Sequence, residues 1–87
     1  MQELIKEQIQ QQVSERAGKE VKVYTALLDY KGSLVVVFSY NERIFIMEAK
    51  DMNNDPQTYE EITISILETI KLDDAGDTTL VDGVYVL

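Results

Sequence analysis

The chain has 87 residues, 16 acidic and 8 basic side chains, a formal charge of −8, and no cysteine, histidine or tryptophan. That length makes one domain, residues 1–87, and the missing residue types exclude disulfides, thiol nucleophiles, the Ser-His triad and nearly all zinc and copper sites. A hydrophobic content of 45% suits a globular chain rather than a disordered one, and the negative charge excludes direct binding to DNA or acidic lipid, whose phosphates it repels.

In chain order, the spacing of Ile5, Ile9, Val13 and Ala17 predicts a helix from about Gln2 to Ala17. Glu3 and Glu7 near its start and Arg16 near its end suit the helix dipole, and Gly18 supplies a left-handed stop. The run Gln10-Gln11-Gln12 within it reads as a solvated turn. Val21 to Tyr30 predicts a strand with Val21, Val23, Thr25 and Leu27 on one face and Lys22, Tyr24, Ala26, Leu28 and Tyr30 on the other. After a Lys31-Gly32-Ser33 turn, Leu34 to Tyr40 is a second strand, apolar on both faces and so central in its sheet. Asn41-Glu42 is a two-residue connection to a third strand, Arg43 to Ala49, which completes an antiparallel meander.

Ile62-Thr63-Ile64-Ser65-Ile66 alternates like a strand, but the residues before it favour a helix. Asp55 can cap, Pro56 fits the first helical position, and Glu60 and Glu61 lie early. A helix from about Pro56 to Leu72 places Tyr59, Ile62, Ile66 and Ile70 on one stripe, with Glu61, Ser65 and Glu68 opposite; Ile64 fits this pattern poorly. Asp73 to Asp77 then forms a loop, and Thr79 to Leu87 a last strand. The expected fold class is α+β in the order αβββαβ, a four-stranded, mainly antiparallel sheet with two helices on one face.

The catalytic inventory is sparse. The glycines form no phosphate-cradling loop, and a carboxylate pair needs a pocket that so small a domain has little room to build. Asp73, Asp74, Asp77 and Asp82 are hard oxygen ligands, but their spacing departs from the EF-hand loop and its closing glutamate is missing. The chain is therefore expected to be no enzyme and to carry neither metal nor cofactor. With no basic-then-apolar start and no apolar run of ~20 residues, the cytoplasm is the expected compartment.

The charge is segregated. Met1 to Lys50 holds seven acids and seven bases, whereas Asp51 to Leu87 holds nine acids and one base, Lys71. The nine are Asp51, Asp55, Glu60, Glu61, Glu68, Asp73, Asp74, Asp77 and Asp82. Residue by residue they suit a solvated surface, but such segregation costs self-repulsion and creates a directed field, which implies a cationic protein partner bound through these nine residues. On this reading, converting Glu60, Glu61, Glu68, Asp73 and Asp74 to amides abolishes partner binding and leaves stability equal or slightly higher. The final strand is an expected sheet edge, open to pairing with a second copy as a homodimer. The tyrosines Tyr24, Tyr30, Tyr40, Tyr59 and Tyr85 suit core edges or interface anchors alike.

A small, acidic, cysteine-free α/β domain without catalytic parts resembles the host-takeover and anti-defence proteins of phages, several of which are DNA mimics. In size and acidity it is most similar to phage inhibitors of the bacterial nucleoid protein HU. The resemblance spans the whole chain in character, through no single motif. It implies a DNA-mimic inhibitor that occupies the basic DNA-binding surface of a host protein such as HU, in the host cytoplasm. An anti-CRISPR, an immunity protein or an antitoxin directed at a basic enzyme would use the same electrostatics.

Overall fold

The computed structural model describes residues 2–87. Seven elements follow one another: β1 (Gln2–Glu3), α1 (Lys6–Ala17), β2 (Lys22–Leu28), β3 (Leu34–Tyr40), β4 (Arg43–Ala49), α2 (Pro56–Asp74) and β5 (Val84–Val86). The strands form one sheet in chain order, and every neighbouring pair is antiparallel. The α+β class holds, with five strands where four were expected.

The core lies between one face of the sheet and the two helices. Ile9 and Val13 of α1 and Tyr59, Ile62, Ile66 and Ile70 of α2 close over Leu34, Val36, Phe38, Phe45 and Met47. The Phe38 and Phe45 rings stack with centroids 5.3 Å apart. As its two apolar faces imply, β3 is the central strand. The expected stripe of α2 is the buried one, and Asp55 caps the helix by accepting from the Thr58 amide at 2.9 Å. Two buried threonines on that stripe, Thr63 and Thr69, donate to the carbonyls of Tyr59 and Ser65 one turn back, so burial leaves neither hydroxyl unpaired.

Three sequence expectations are corrected. The chain before α1 is extended. Gln2 and Glu3 pair with Leu28 and Leu27, the Leu4 amide donates to the Ala26 carbonyl at 2.9 Å, and Leu4 enters the core. Ile5, expected in the helical stripe, is 57% exposed because the helix begins only at Lys6. The Ile5 amide, lacking a side-chain cap, donates to the Tyr59 hydroxyl at 3.0 Å.

Strand β2 changes phase midway. Val23 pairs with Phe38 but Thr25 pairs with Val37, which leaves Tyr24 as a bulge. One extra residue flips every later side chain to the other face. The buried set is therefore Val21, Val23, Ala26 and Leu28, whereas Thr25 and Leu27 turn to the open face. Strand β1 reaches only the far end of β2, so side chains of α1 satisfy the near end. Gln10 accepts from the Val23 amide at 2.9 Å, Ser14 from the Val21 amide at 3.2 Å, and Lys6 donates to the Tyr24 carbonyl at 3.2 Å. Gln10 thus belongs to a structural contact rather than a solvated turn.

Finally, α2 runs on through Asp73 and Asp74, and the last strand shrinks to Val84–Val86. A turn at Asp82-Gly83 interrupts the expected longer strand, with the Val84 amide donating to the Val81 carbonyl at 2.9 Å. Gly83 has a φ of +82°, and a Cβ there would lie 2.5 Å from the Glu48 carbonyl oxygen.

Two backbone positions give opposite predictions. Asn41 and Glu42 form the β3–β4 turn with φ of 54° and 66°, a geometry that favours glycine at the second residue. Glu42→Gly should raise stability by about 1 kcal/mol, whereas Gly83→Ala should lower it by about 2 kcal/mol or more. Urea denaturation of the two variants checks both signs.

Candidate functional site

The nine acids divide by what the fold asks of them. Asp55 is the cap of α2. Glu60, early in α2, meets Arg16 of α1 at 2.8 Å, with both side chains about half exposed. Asp73 and Asp74 occupy the last turn of α2, where the dipole disfavours anions. Cations brought by other elements offset this. Arg43, at the start of β4, meets Asp73 at 2.6 Å, and Lys19, just after α1, meets Asp74 at 2.7 Å. Asn41 also reaches Asp73, at 3.4 Å, and the Tyr40 hydroxyl donates to Asp74 at 2.7 Å. Asp77 accepts from the Thr79 amide at 2.8 Å and shapes the turn after α2.

Charge segregation along the sequence is therefore partly undone in space. Three bases of the neutral half pair with three acids of the acidic half. Asp73 and Asp74, expected in a free loop, end a helix and anchor it to the β3–β4 hairpin and to the segment after α1. The Asp73 side chain retains only 5% exposure. Amides at Glu60, Asp73 and Asp74 would therefore remove the charge from three ion pairs, against the expectation that stability is unchanged or higher.

Asp51, Glu61, Glu68 and Asp82 make no ion pair among the described residues. Asp51 holds a left-handed turn beyond β4, with φ of 60°. Glu61, Ile64, Ser65 and Glu68 share one helical face of α2, the face turned from the buried stripe. Glu61, Ile64 and Ser65 line an open groove of about 450 Å³ against the end of β4 and the Asp82-Gly83 turn. Met47, Met52 and Ile64 give it an apolar lining, Glu61 and Asp82 an anionic one, and Lys50 is its one cation. This combination fits a lysine or arginine, whose aliphatic stem covers apolar surface while its head meets carboxylates. Ile64, 41% exposed, is the member that reasoning from charge alone missed, and its misfit with the helical stripe was the available signal.

Comparison of the chain with family models, with curated proteins and with solved structures finds no match. No helix among the described residues is long and apolar enough to cross a membrane.

The Lys19 hydrogen bond, followed by that from Tyr40, holds the Asp74 carboxyl below its usual range, and the contact with Asp74, followed by that with Tyr40, raises Lys19. The Thr79 backbone N–H likewise lowers Asp77. A lowered carboxyl stabilises the fold above its unfolded value, about pH 4, and that contribution is lost as pH falls through the folded value. A raised lysine stabilises below about pH 10, and its contribution is lost as pH rises through the folded value. The melting temperatures of the protein and of Asp74→Asn should therefore differ most between these limits and converge beyond either. Thermal melts followed by circular dichroism across pH measure that difference.

Proposed function

We propose that this protein is an acidic inhibitor of a basic protein, a DNA mimic that occupies the DNA-binding surface of a host DNA-binding protein, with HU as the first candidate. The observation that carries the reading is the row of carboxylates that form no ion pair among the described residues. Glu61 and Glu68 lie seven positions apart on one face of α2, with Asp82 beside Glu61 across the groove and Asp51 on the neighbouring turn. At ~1.5 Å per residue, Glu61 and Glu68 are about 10 Å apart along the helix, close to three base-pair steps of ~3.4 Å. A protein surface built to hold phosphates at that spacing accepts such a row. Glu60, Asp73 and Asp74 contribute to the long-range field, while their side chains hold the fold together.

The apolar lining of the groove favours a second reading, inhibition of a basic enzyme as by an anti-CRISPR, an immunity protein or an antitoxin. Phosphate mimicry has no use for Met47, Met52 and Ile64, whereas an inserted protein side chain does.

Binding of purified HU, in competition with labelled duplex DNA, tests the first reading. Mutual displacement is expected, with an affinity that falls steeply as salt rises. The triple variant Glu61→Gln, Glu68→Gln, Asp82→Asn should bind about tenfold more weakly or worse, with an unchanged melting curve. Absence of HU binding at low salt, or binding indifferent to duplex, overturns the HU reading. Ile64→Ala separates the two readings in whichever complex is found, since its effect is small for a phosphate mimic and about tenfold for an inserted side chain.

A further inference from the structure

We propose that the face of the sheet opposite the helices is a dimer interface that takes a second copy of this chain. Both helices cover the same side, so among the described residues the other side of the sheet has no layer over it. Leu27, Val35, Val37, Ile44, Ile46 and Tyr85 lie there as neighbours: Leu27 pairs with Val35, Val37 with Ile46, and Ile46 with Tyr85. Val35, Ile44 and Tyr85 are 38%, 40% and 54% exposed, and the other three are half-buried. Antiparallel sheets with one wet face ordinarily alternate apolar with polar residues. Here β3 and β4 present Val35, Val37, Ile44 and Ile46 to the open side as well as an apolar set to the core.

Charge selects the occupant. At −8, two copies repel one another through most approaches. The strand positions on the open face carry one base, Lys22, and two acids, Glu3 and Glu48. That near-neutral patch is where a second copy can approach without opposing the acidic helix side. The arrangement is also self-complementary. Lys22 lies at one end of β2 and Glu3, beside Leu27, at the other. A two-fold axis between the sheets and across the strands lays each Lys22 against Glu3 of the partner subunit and each Val37 and Ile46 row against its counterpart. Two such faces pack ~10 Å apart.

The area sets the strength. The seven-residue strands β2, β3 and β4 extend about 23 Å and together span about 14 Å at ~4.8 Å spacing, and β1 and β5 add only short edge segments. Two faces then cover about 800 Å² in projection, short of the ~1,000 Å² of a stable specific interface, so the association is a weak one. The edges offer a second copy much less, because β1 has two residues and β5 three. The expected edge-pairing dimer is thus replaced by a face-to-face one.

Sedimentation equilibrium over a dilution series tests this. The mean mass should rise toward twice 9.9 kDa at the concentrated end of the series, and the dimer should persist or tighten as salt rises, opposite to binding through the acidic groove. Val35→Lys with Ile44→Lys, both at exposed positions, should weaken association about tenfold or more while the circular dichroism spectrum is retained. Lys22→Glu should also weaken it, and Lys22→Glu with Glu3→Lys should restore it. A monomer at every concentration, a dimer that survives the paired lysines, or a charge swap that restores nothing overturns the proposal.

Discussion

The rest of this structure depends on where two helices can go. A chain of this length supplies two, and both are committed to one face of a five-stranded sheet. That face is closed by Ile9, Val13, Ile62, Ile66 and Ile70 over the inward side chains of β2, β3 and β4. Among the described residues no layer covers the other face, yet β3 and β4 are apolar there as well. Segregation of apolar sheet from charged helix follows from this one-sided cover, as does the difference between the two kinds of partner proposed for the molecule's sides.

The acids take their roles from the same arrangement. The C-terminal end of α2 would be unfavourable with Asp73 and Asp74 in its last turn, but it lies beside the start of β4 and the segment after α1. Arg43 and Lys19 therefore serve the helix end, and Tyr40 adds a hydroxyl. The half-exposed pairs Arg16–Glu60 and Lys19–Asp74 contribute modestly one by one. Their greater effect is to decide which carboxylates remain free for an external cation. The groove beside Ile64 gains its character from carboxylates that form no ion pair among the described residues.

Local signals were well encoded in the sequence. Asp55-Pro56 marked the start of α2, the Tyr59–Ile62–Ile66–Ile70 spacing marked its buried face, and the two-faced apolar run marked β3 as central. The features that escaped are set by distant partners. Tyr24 and Thr25 are both good strand formers, so nothing local announces the bulge that re-phases β2. A two-residue strand such as Gln2–Glu3 is too short to alternate visibly and exists because Leu27 and Leu28 offer an edge. Asp73 and Asp74 read as a loop because their cations lie 30 and 55 residues away in the chain. For the candidate site the number of acids was legible, but which of them are free was not, since pairing is a tertiary property. Ile64 stood out precociously as the residue that fitted neither face of the helix.

The polar side chains by which α1 meets β2 have a further consequence, for colloidal behaviour. Strands with the composition of β2 and β3, rich in valine, leucine and tyrosine, are good templates for intermolecular cross-β growth once a row of their backbone groups is free. In the native state Lys6, Gln10 and Ser14 occupy that row on β2. The helix is therefore a gatekeeper as well as a core layer: its fraying would uncover a growth edge even while the sheet remained intact, so resistance to fibril formation tracks the local stability of α1 rather than the global stability of the domain.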